Sequence, residues 1–397
     1  MTDGTTVPTP DAGAATPAGD QRREAVDQRR EAVDQRREAG DQRREAAGSG
    51  PEVHDRNPAA GGASARTRVA VVGTGLIGGS VLLRLRDAGL DVAGWDPDPA
   101  TREHLRSCGV SAPDTVEEAV AGRDLVFLCG PLPTLARTLA QVAELTAPGC
   151  VLTDVGSTKV EVAEAAGRLG LTDRFVPGHP MAGAESAGLA AAAPTLLAGA
   201  AWVLCPAPGA ATPAFRWLTG LLVELFGARV VPMSPAAHDS VAALASHVPH
   251  LLAGALAGAT QRSPLRDAVL ALAAGSFSDG TRVAGTPAER TANMLLGNRE
   301  RVLDELAEVR VLLDELADAL RSADATGLTA RYAQAGAARS ALRDRRFTAA
   351  DREFPADGDH TVEVAWLREL GVAGGHLTGC RVGPDVVSYP ALLPLAD

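Results

Sequence analysis

The segment Arg68-Val-Ala-Val-Val-Gly-Thr-Gly-Leu-Ile-Gly-Gly-Ser80 decides the fold of this chain. Its apolar run Val69–Val72 predicts a buried strand, and Gly73, Gly75 and Gly78 follow at the GxGxxG spacing. Glycines at this spacing let a tight turn bring bare backbone amides against a pyrophosphate. The segment therefore predicts a dinucleotide-binding strand–turn–helix unit.

The residues that follow predict the remaining cofactor contacts. Leu76 and Ile77 begin a helical apolar pattern, so the unpaired N–H groups of that helix would face the phosphates. A second predicted strand ends at Asp96, where a carboxylate can accept hydrogen bonds from ribose hydroxyls and would repel a 2′-phosphate. This favours NAD over NADP. A sharp break at Gly130-Pro131, after a later strand, is expected beside the same cofactor.

Composition limits the classes of function. The formal net charge of −11 argues against a nucleic-acid partner and against an anionic membrane surface. Five scattered cysteines without a CxxC pair predict buried thiols of a reducing cytoplasm and no metal site. We find no signal-peptide pattern and expect no membrane span, so the predicted location is cytoplasmic.

Periodicity divides the 397 residues into four parts. Residues 1–67 hold seven-residue Asp-Gln-Arg-Arg-Glu-Ala repeats and a linker, which predict a disordered or partly helical charged arm; a docking segment is the alternative. Residues 68–233 alternate strand and helix, as in a Rossmann domain. Residues 234–341 predict an all-α domain whose apolar stripe fits packing between two subunits or an intrachain bundle. Residues 342–397 form a tail that is hard to class.

Two residues of the α/β part are candidates for chemistry. His179 precedes a proline in a glycine-flanked loop at a strand end, and an imidazole there can accept a hydrogen bond from a reacting hydroxyl. Ser157 follows a strand and precedes a helix. It either contacts the ligand or caps the helix in a box with Thr158 and Glu161.

The helical part adds further candidates. His247 and His250 are three residues apart and share a helix face; a metal pair is the rival, but it is weak without a carboxylate motif. His238 beside Asp239 could line a site or cap a helix. Arg282 is the only cation in a run of small apolar residues, and a buried guanidinium there needs a carboxylate from the protein or from a substrate.

Together, these motifs resemble the prephenate/arogenate dehydrogenase family over about residues 68–340. The resemblance rests on the glycine turn with Asp96, Gly-Ser-Thr-Lys at 156–159, Gly-His-Pro-Met-Ala-Gly at 178–183, the His-Asp and Ser-His-Val-Pro-His motifs within 238–250, and Thr-Arg at 281–282. It implies a Rossmann domain followed by a helical domain that forms a homodimer. The implied reaction is NAD-dependent oxidative decarboxylation of prephenate to 4-hydroxyphenylpyruvate in tyrosine biosynthesis.

The resemblance also implies a role for each candidate. His179 would accept a hydrogen bond from the ring 4-hydroxyl as hydride leaves that carbon, and Ser157 would help hold the hydroxyl and the cofactor ring. His250 and Arg282 would bind the substrate carboxylates, and His238 would line the site. We place His247 with the substrate-binding residues.

Two departures and several alternatives remain. Residues 289–291 replace a tryptophan of relatives, and the tail after Ala341 lacks the opening of an ACT regulatory domain. Arogenate or 4-amino-4-deoxyprephenate are alternative substrates. A β-hydroxyacid dehydrogenase would use a lysine of the helical domain, whereas Lys159 is the only lysine of the chain. An NAD-sensing interaction protein is the non-enzymatic alternative, against which Ser157 and His179 argue.

Overall fold

The computed structural model describes residue 1 and residues 67–183, 186–207 and 212–395. The predicted repeat arm and its linker therefore lie outside the described residues. The strands are β1 (Arg68–Val72), β2 (Asp91–Trp95), β3 (Leu125–Leu128), β4 (Val151–Asp154), β5 (Phe175–Val176), β6 (Gly178–Pro180), β7 (Ala201–Leu204), β8 (Arg229–Pro232), β9 (Phe347–Ala349), β10 (Arg352–Pro355), β11 (His376–Leu377), β12 (Arg381–Val382), β13 (Val386–Tyr389) and β14 (Ala391–Pro394).

Helices connect these strands and make up most of residues 235–343. They are α1 (Leu76–Asp87), α2 (Pro99–Ser107), α3 (Val116–Val120), α4 (Leu132–Leu145), α5 (Val160–Arg168), α6 (Thr212–Phe226), α7 (Pro235–Ala242), α8 (Val248–Arg262), α9 (Arg266–Leu272), α10 (Gly275–Thr281), α11 (Ala288–Gly297), α12 (Arg299–Arg321), α13 (Ala325–Arg343) and α14 (Thr361–Val372).

The first sheet has the strand order β2-β1-β3-β4-β5, and every pairing in it is parallel. Val69 and Val71 of β1 join one apolar cluster, while Ala70 and Val72 join another, so both faces of the sheet are covered. The chain order reverses between β1 and β3. Such a switch point opens a crevice at the carboxyl ends of the strands, where ligands bind. The predicted Rossmann architecture is confirmed.

A second sheet begins directly after the first in the chain. Only Pro177 lies between β5, the last strand of the first sheet, and β6, the first strand of the second. Its order is β6-β7-β8-β11-β14-β9. The last three strands belong to the C-terminal tail, residues 342–397, for which the sequence predicts no fold. Strand β11 pairs antiparallel with β8, and β14 pairs with β11 and β9. Strands β10, β13 and β12 form a small third sheet. The tail is therefore an extension of the α/β part.

A buried ion pair holds this tail in place. The Arg216 guanidinium of α6 donates to both carboxylate oxygens of Glu363 in α14, at 2.9 and 2.6 Å. The Tyr389 hydroxyl donates to the same carboxylate at 2.5 Å. Gly371 packs so closely on β8 that a Cβ there would lie 1.7 Å from the Pro232 carbonyl oxygen. The tail thus packs on the strand that leads into the helical part.

The first two long helices of the helical part are joined by a π turn. This π turn, Ala243–His247, lies between α7 and α8, and Pro249 occupies the first turn of α8. By length and composition alone, Pro235–Arg262 could cross a membrane. Its Asp239 carboxylate, however, accepts the Lys159 and Val160 amides of the Rossmann domain. This stretch is therefore part of the packing between the two halves of the chain.

Candidate active site

The glycine turn has the geometry that a pyrophosphate requires. Gly73 has a φ of +92°, and a Cβ there would lie 2.7 Å from the Gly130 amide nitrogen. A Cβ at Gly78 would lie 2.0 Å from the Gly73 carbonyl oxygen, so the turn and α1 pack too closely for any side chain. A Cβ at Gly75 would meet nothing within 4 Å. The backbone at Gly75 is therefore open to a phosphate, and Leu76 and Ile77 begin α1 beside it.

Asp96 lies at the carboxyl end of β2, as predicted. Its carboxylate accepts the Thr74 amide at 2.9 Å and the Asp98 amide at 3.1 Å, which fixes its position beside the glycine turn. The half-buried carboxylate retains lone pairs for two ribose hydroxyls. Across the switch point, Gly130 precedes Pro131 at the start of α4. These residues fit a dinucleotide.

The turn after β4 is built on a buried ion pair. The Lys159 ammonium donates to Asp154, and both side chains are fully buried. Asp154 also accepts the Gly156 amide at 2.8 Å and the Gly178 amide at 3.0 Å. One carboxylate therefore holds the turn that carries Ser157 next to the strand that carries His179.

The predicted capping box at Ser157 is wrong. Helix α5 begins at Val160 with Lys159 at its N-cap, and no side chain at the N-cap position accepts a hydrogen bond. Asp239 of α7 instead accepts the Lys159 amide at 2.8 Å and the Val160 amide at 2.9 Å. The half-buried Ser157 hydroxyl makes no hydrogen bond to any described residue, which leaves it available to a ligand.

Asp239 also sets the tautomers of two histidines. It accepts a hydrogen bond from His238 Nδ1 at 2.7 Å, so the proton of neutral His238 is on Nδ1 and its Nε2 carries a lone pair. His179 Nδ1 lies 2.8 Å from that Nε2 and must donate to it. The remaining lone pair is on His179 Nε2. The chain of hydrogen bonds therefore makes His179 an acceptor.

Burial keeps these rings neutral. It is the largest cause that lowers the pKa of His179 well below its ordinary value, and the neighbouring His238, Lys159 and His247 lower it further. The pKa of His238 is lowered by burial, although Asp239 opposes the shift. Burial lowers the pKa of His247 to about 4. The cluster thus presents uncharged nitrogen atoms near neutral pH.

The other predicted site residues are placed differently. His250 is half-buried and donates from Nδ1 to the Ser246 carbonyl oxygen at 2.8 Å. Arg282 is exposed and begins a 3-10 helix that packs on α8. Among the described residues it has no hydrogen bond or ion pair. The structure therefore brings together His179, His238 and His247, whereas the convergence of Arg282 with them stays a prediction.

Two residues of the site carry little signal in the sequence. Asp239 is predicted only as a neighbour of His238, and no motif marks Asn298, which donates to the Asp239 carbonyl oxygen at 2.7 Å. Its position between α11 and α12 carries no sequence signal, because an asparagine between two helices is an ordinary helix stop. Across the described ranges, no three His, Cys, Asp or Glu side chains are arranged so that they could hold a metal ion.

Comparisons with known proteins find relatives for both halves of the chain. Residues 81–232 match the domain family described as prephenate dehydrogenase, nucleotide-binding domain, and residues 234–334 match prephenate dehydrogenase, dimerization domain. The prephenate dehydrogenase of Bacillus subtilis is 33% identical over 271 residues, which are 66% of this chain and 72% of that protein. The cyclohexadienyl dehydrogenase of Zymomonas mobilis is 30% identical over 69% of this chain and 96% of that protein.

Solved structures agree as well. Arogenate dehydrogenase of Synechocystis matches with a TM-score of 0.61 and 28% identity, over 70% of this chain and 100% of that one. Prephenate dehydrogenase of Aquifex aeolicus, in complex with hydroxyphenyl propionate and NAD+, matches with a TM-score of 0.64 and 26% identity, over 70% of this chain and 98% of that one.

The buried histidines predict how stability depends on pH. Unfolded histidine binds a proton near pH 6.5, whereas native His247 does so only near 4. We expect the free energy of unfolding to be greatest above pH 6.5 and to fall as the pH is lowered towards 4, by about 3 kcal/mol for His247 alone. Urea unfolding over this pH range measures the loss. His247→Gln should flatten the slope and the exposed His104→Gln should keep it; equal slopes for both would contradict the prediction.

Proposed function

Because this chain belongs to the prephenate dehydrogenase family, we propose that it oxidises and decarboxylates prephenate to 4-hydroxyphenylpyruvate with NAD. The observation that carries the proposal is the hydrogen-bonded chain His179–His238–Asp239, which leaves an acceptor nitrogen on His179. Decarboxylating oxidation of a ring alcohol needs such an acceptor at the hydroxyl. The proposed location is the cytoplasm, whose reducing conditions suit the five free cysteines.

The cofactor is NAD, as the sequence predicts. The matched domain is nucleotide-binding, and the Aquifex aeolicus enzyme was solved with NAD+. In this chain, Gly73 and Gly78 make the close turn, Gly75 leaves room for the pyrophosphate, and Asp96 would accept the ribose hydroxyls. Bound NAD would take up the hydride of the ring carbon that bears the hydroxyl.

The proposed role of His179 is to accept the hydrogen bond of that hydroxyl. Its neutral Nε2 accepts a hydrogen bond from the hydroxyl and polarises the O–H bond as hydride leaves the carbon, without taking up the proton, and this stabilises the developing positive charge. Loss of CO2 then makes the ring aromatic, and the product keeps its hydroxyl proton. A weak base is therefore sufficient, which fits the lowered pKa of His179. Ser157, on the neighbouring turn, would help hold the hydroxyl and the cofactor ring.

The substrate carboxylates need positive charge that an acidic protein must supply locally. We assign the binding of the substrate carboxylates to Arg282 and His250. The Arg282 guanidinium has no partner among the described residues. Because His250 Nδ1 donates to the Ser246 carbonyl oxygen, His250 must gain a proton at Nε2 to donate to a carboxylate. The assignment of these two residues rests on the family motif and their electrostatics.

We also propose that the helical part forms a homodimer. Its helices expose large apolar side chains in the single chain: Leu252, Leu256, Leu270, Leu272, Leu296, Leu303, Val311, Leu312, Leu313 and Leu320. Apolar surface on this scale is typical of a subunit interface. We expect sedimentation velocity to give twice the chain mass. A single-chain mass at micromolar protein would contradict the dimer.

Substrate assays test the proposed reaction directly. We expect NADH to form with prephenate and NAD, and little reduced cofactor with NADP, because Asp96 would repel the 2′-phosphate. Arogenate and 4-amino-4-deoxyprephenate are assayed in parallel, since relatives are named for arogenate and for cyclohexadienyl substrates. Faster turnover of arogenate than of prephenate would show that arogenate is the substrate. No turnover with any of them would overturn the proposal.

Two substitutions separate chemistry from binding. We expect His179→Asn to lower kcat by about 10²- to 10⁴-fold with little change in KM, because the acceptor acts in the transition state. Arg282→Ala should mainly raise the KM for the substrate, since it removes a carboxylate partner. Steady-state kinetics of both variants provide the comparison. The opposite pattern would reverse the two roles.

A further inference from the structure

The sequence groups His247 with the substrate-binding residues, but it does not say which atom of the ring would contact a ligand or which ligand atom it would meet. Only 1% of the residue is exposed, and its Nε2 is a buried atom with no hydrogen-bond partner among the described residues. Buried polar atoms in native proteins nearly always have partners. A lone buried nitrogen beside a ligand site therefore points to a contact that the ligand supplies.

Asn298 decides whether this nitrogen is a donor or an acceptor. Its Nδ2 donates to the Asp239 carbonyl oxygen at 2.7 Å, and a carbonyl can only accept, so the orientation of the amide is set. The same Nδ2 lies 3.1 Å from His247 Nδ1. Because an amide nitrogen cannot accept, His247 Nδ1 must carry a lone pair. The proton of the neutral ring is therefore on Nε2.

The backbone places this donor at the His179 cluster. His247 ends the π turn Ala243–His247, which lies between α7, the helix of His238 and Asp239, and α8. Single π turns inside helices are frequent at functional sites, since the extra residue redirects a side chain. Asn298 Nδ2 bridges His247 Nδ1 and the Asp239 carbonyl oxygen, and Asp239 is hydrogen-bonded to His238, so His247 belongs to the same hydrogen-bonded network as His179.

We propose that His247 donates its Nε2–H to a carboxylate or carbonyl oxygen of the ligand bound at His179, and that Asn298 is the positioning residue that sets this tautomer. A substrate carboxylate and the nicotinamide carboxamide both offer such an oxygen. The inference rests on the proposed function for the identity of these ligands. The two histidines then have opposite hydrogen-bonding roles, because His179 Nε2 accepts a hydrogen bond and His247 Nε2 donates one.

Paired substitutions test the donor. His247→Leu removes the N–H, whereas His247→Gln keeps an N–H near the Nε2 position. We expect His247→Leu to raise one KM, for substrate or for NAD, by about tenfold to a hundredfold, and His247→Gln to recover most of that loss. The KM that rises identifies which ligand supplies the oxygen. The proposed hydrogen bond from His247 is wrong if both variants keep both wild-type KM values. It is also wrong if His247→Gln shows the same increase in KM as His247→Leu.

The tautomer is tested without any substrate. In the full-length protein labelled with ¹⁵N-histidine, NMR should give the Nε2–H form for His247. Asn298→Leu should make an Nδ1–H form appear, while the matched Asn293→Leu in α11 should not; thermal unfolding checks that both variants fold. An Nδ1–H form in the wild type, or no change in Asn298→Leu, would overturn the inference. These outcomes do not depend on turnover, so they stand even if the proposed reaction fails.

Discussion

The carboxylate of Asp239 is the interaction on which the candidate site depends. It belongs to the helical half, yet it accepts the amides of Lys159, the N-cap residue of α5, and of Val160, the first residue of α5, in the Rossmann half. A cap of this kind contributes about 0.5–2 kcal/mol, and its negative charge lies at the positive end of the helix dipole. The third donor to it is His238. Three donors offset the cost of burying the charge, and they join the two halves of the chain next to His179.

A second buried carboxylate completes the arrangement. Asp154 holds the Lys159 ammonium and the amides of two glycines, so the turn after β4 and the start of β6 are tied together. The ammonium also disfavours a proton on His179. The site therefore consists of neutral histidines between the hydrogen-bonded Asp239 carboxylate and the Asp154–Lys159 ion pair. This favours hydrogen bonding to a hydroxyl over net proton uptake, which matches a reaction whose product keeps the hydroxyl proton.

The C-terminal tail packs against the strand that leads into the helix of His238 and Asp239. The matched family domains end at residue 334, and the tail continues the sheet across β8, the strand that leads into α7. Arg216 and Glu363 lock it there with a buried, hydrogen-bonded pair, whose removal on one side alone would leave an unpaired charge. The backbone that precedes His238 and Asp239 is thus supported by a segment outside the matched domains.

Short-range patterns were sufficient for much of this protein. The glycine turn, Asp96, the alternation of strands and helices, and the all-helical part could be predicted, because spacing and periodicity encode contacts between near neighbours. The cap of α5 could not. The local pattern offered a capping box of Ser157, Thr158 and Glu161 as one alternative, but Asp239 supplies the cap from 80 residues away. Asn298 contacts His247 across 51 residues, and the tail pairs with β8. Such contacts arise only when packing brings distant segments together, so the sequence determined which side chains were available and the tertiary structure decided which nitrogen donates and which accepts.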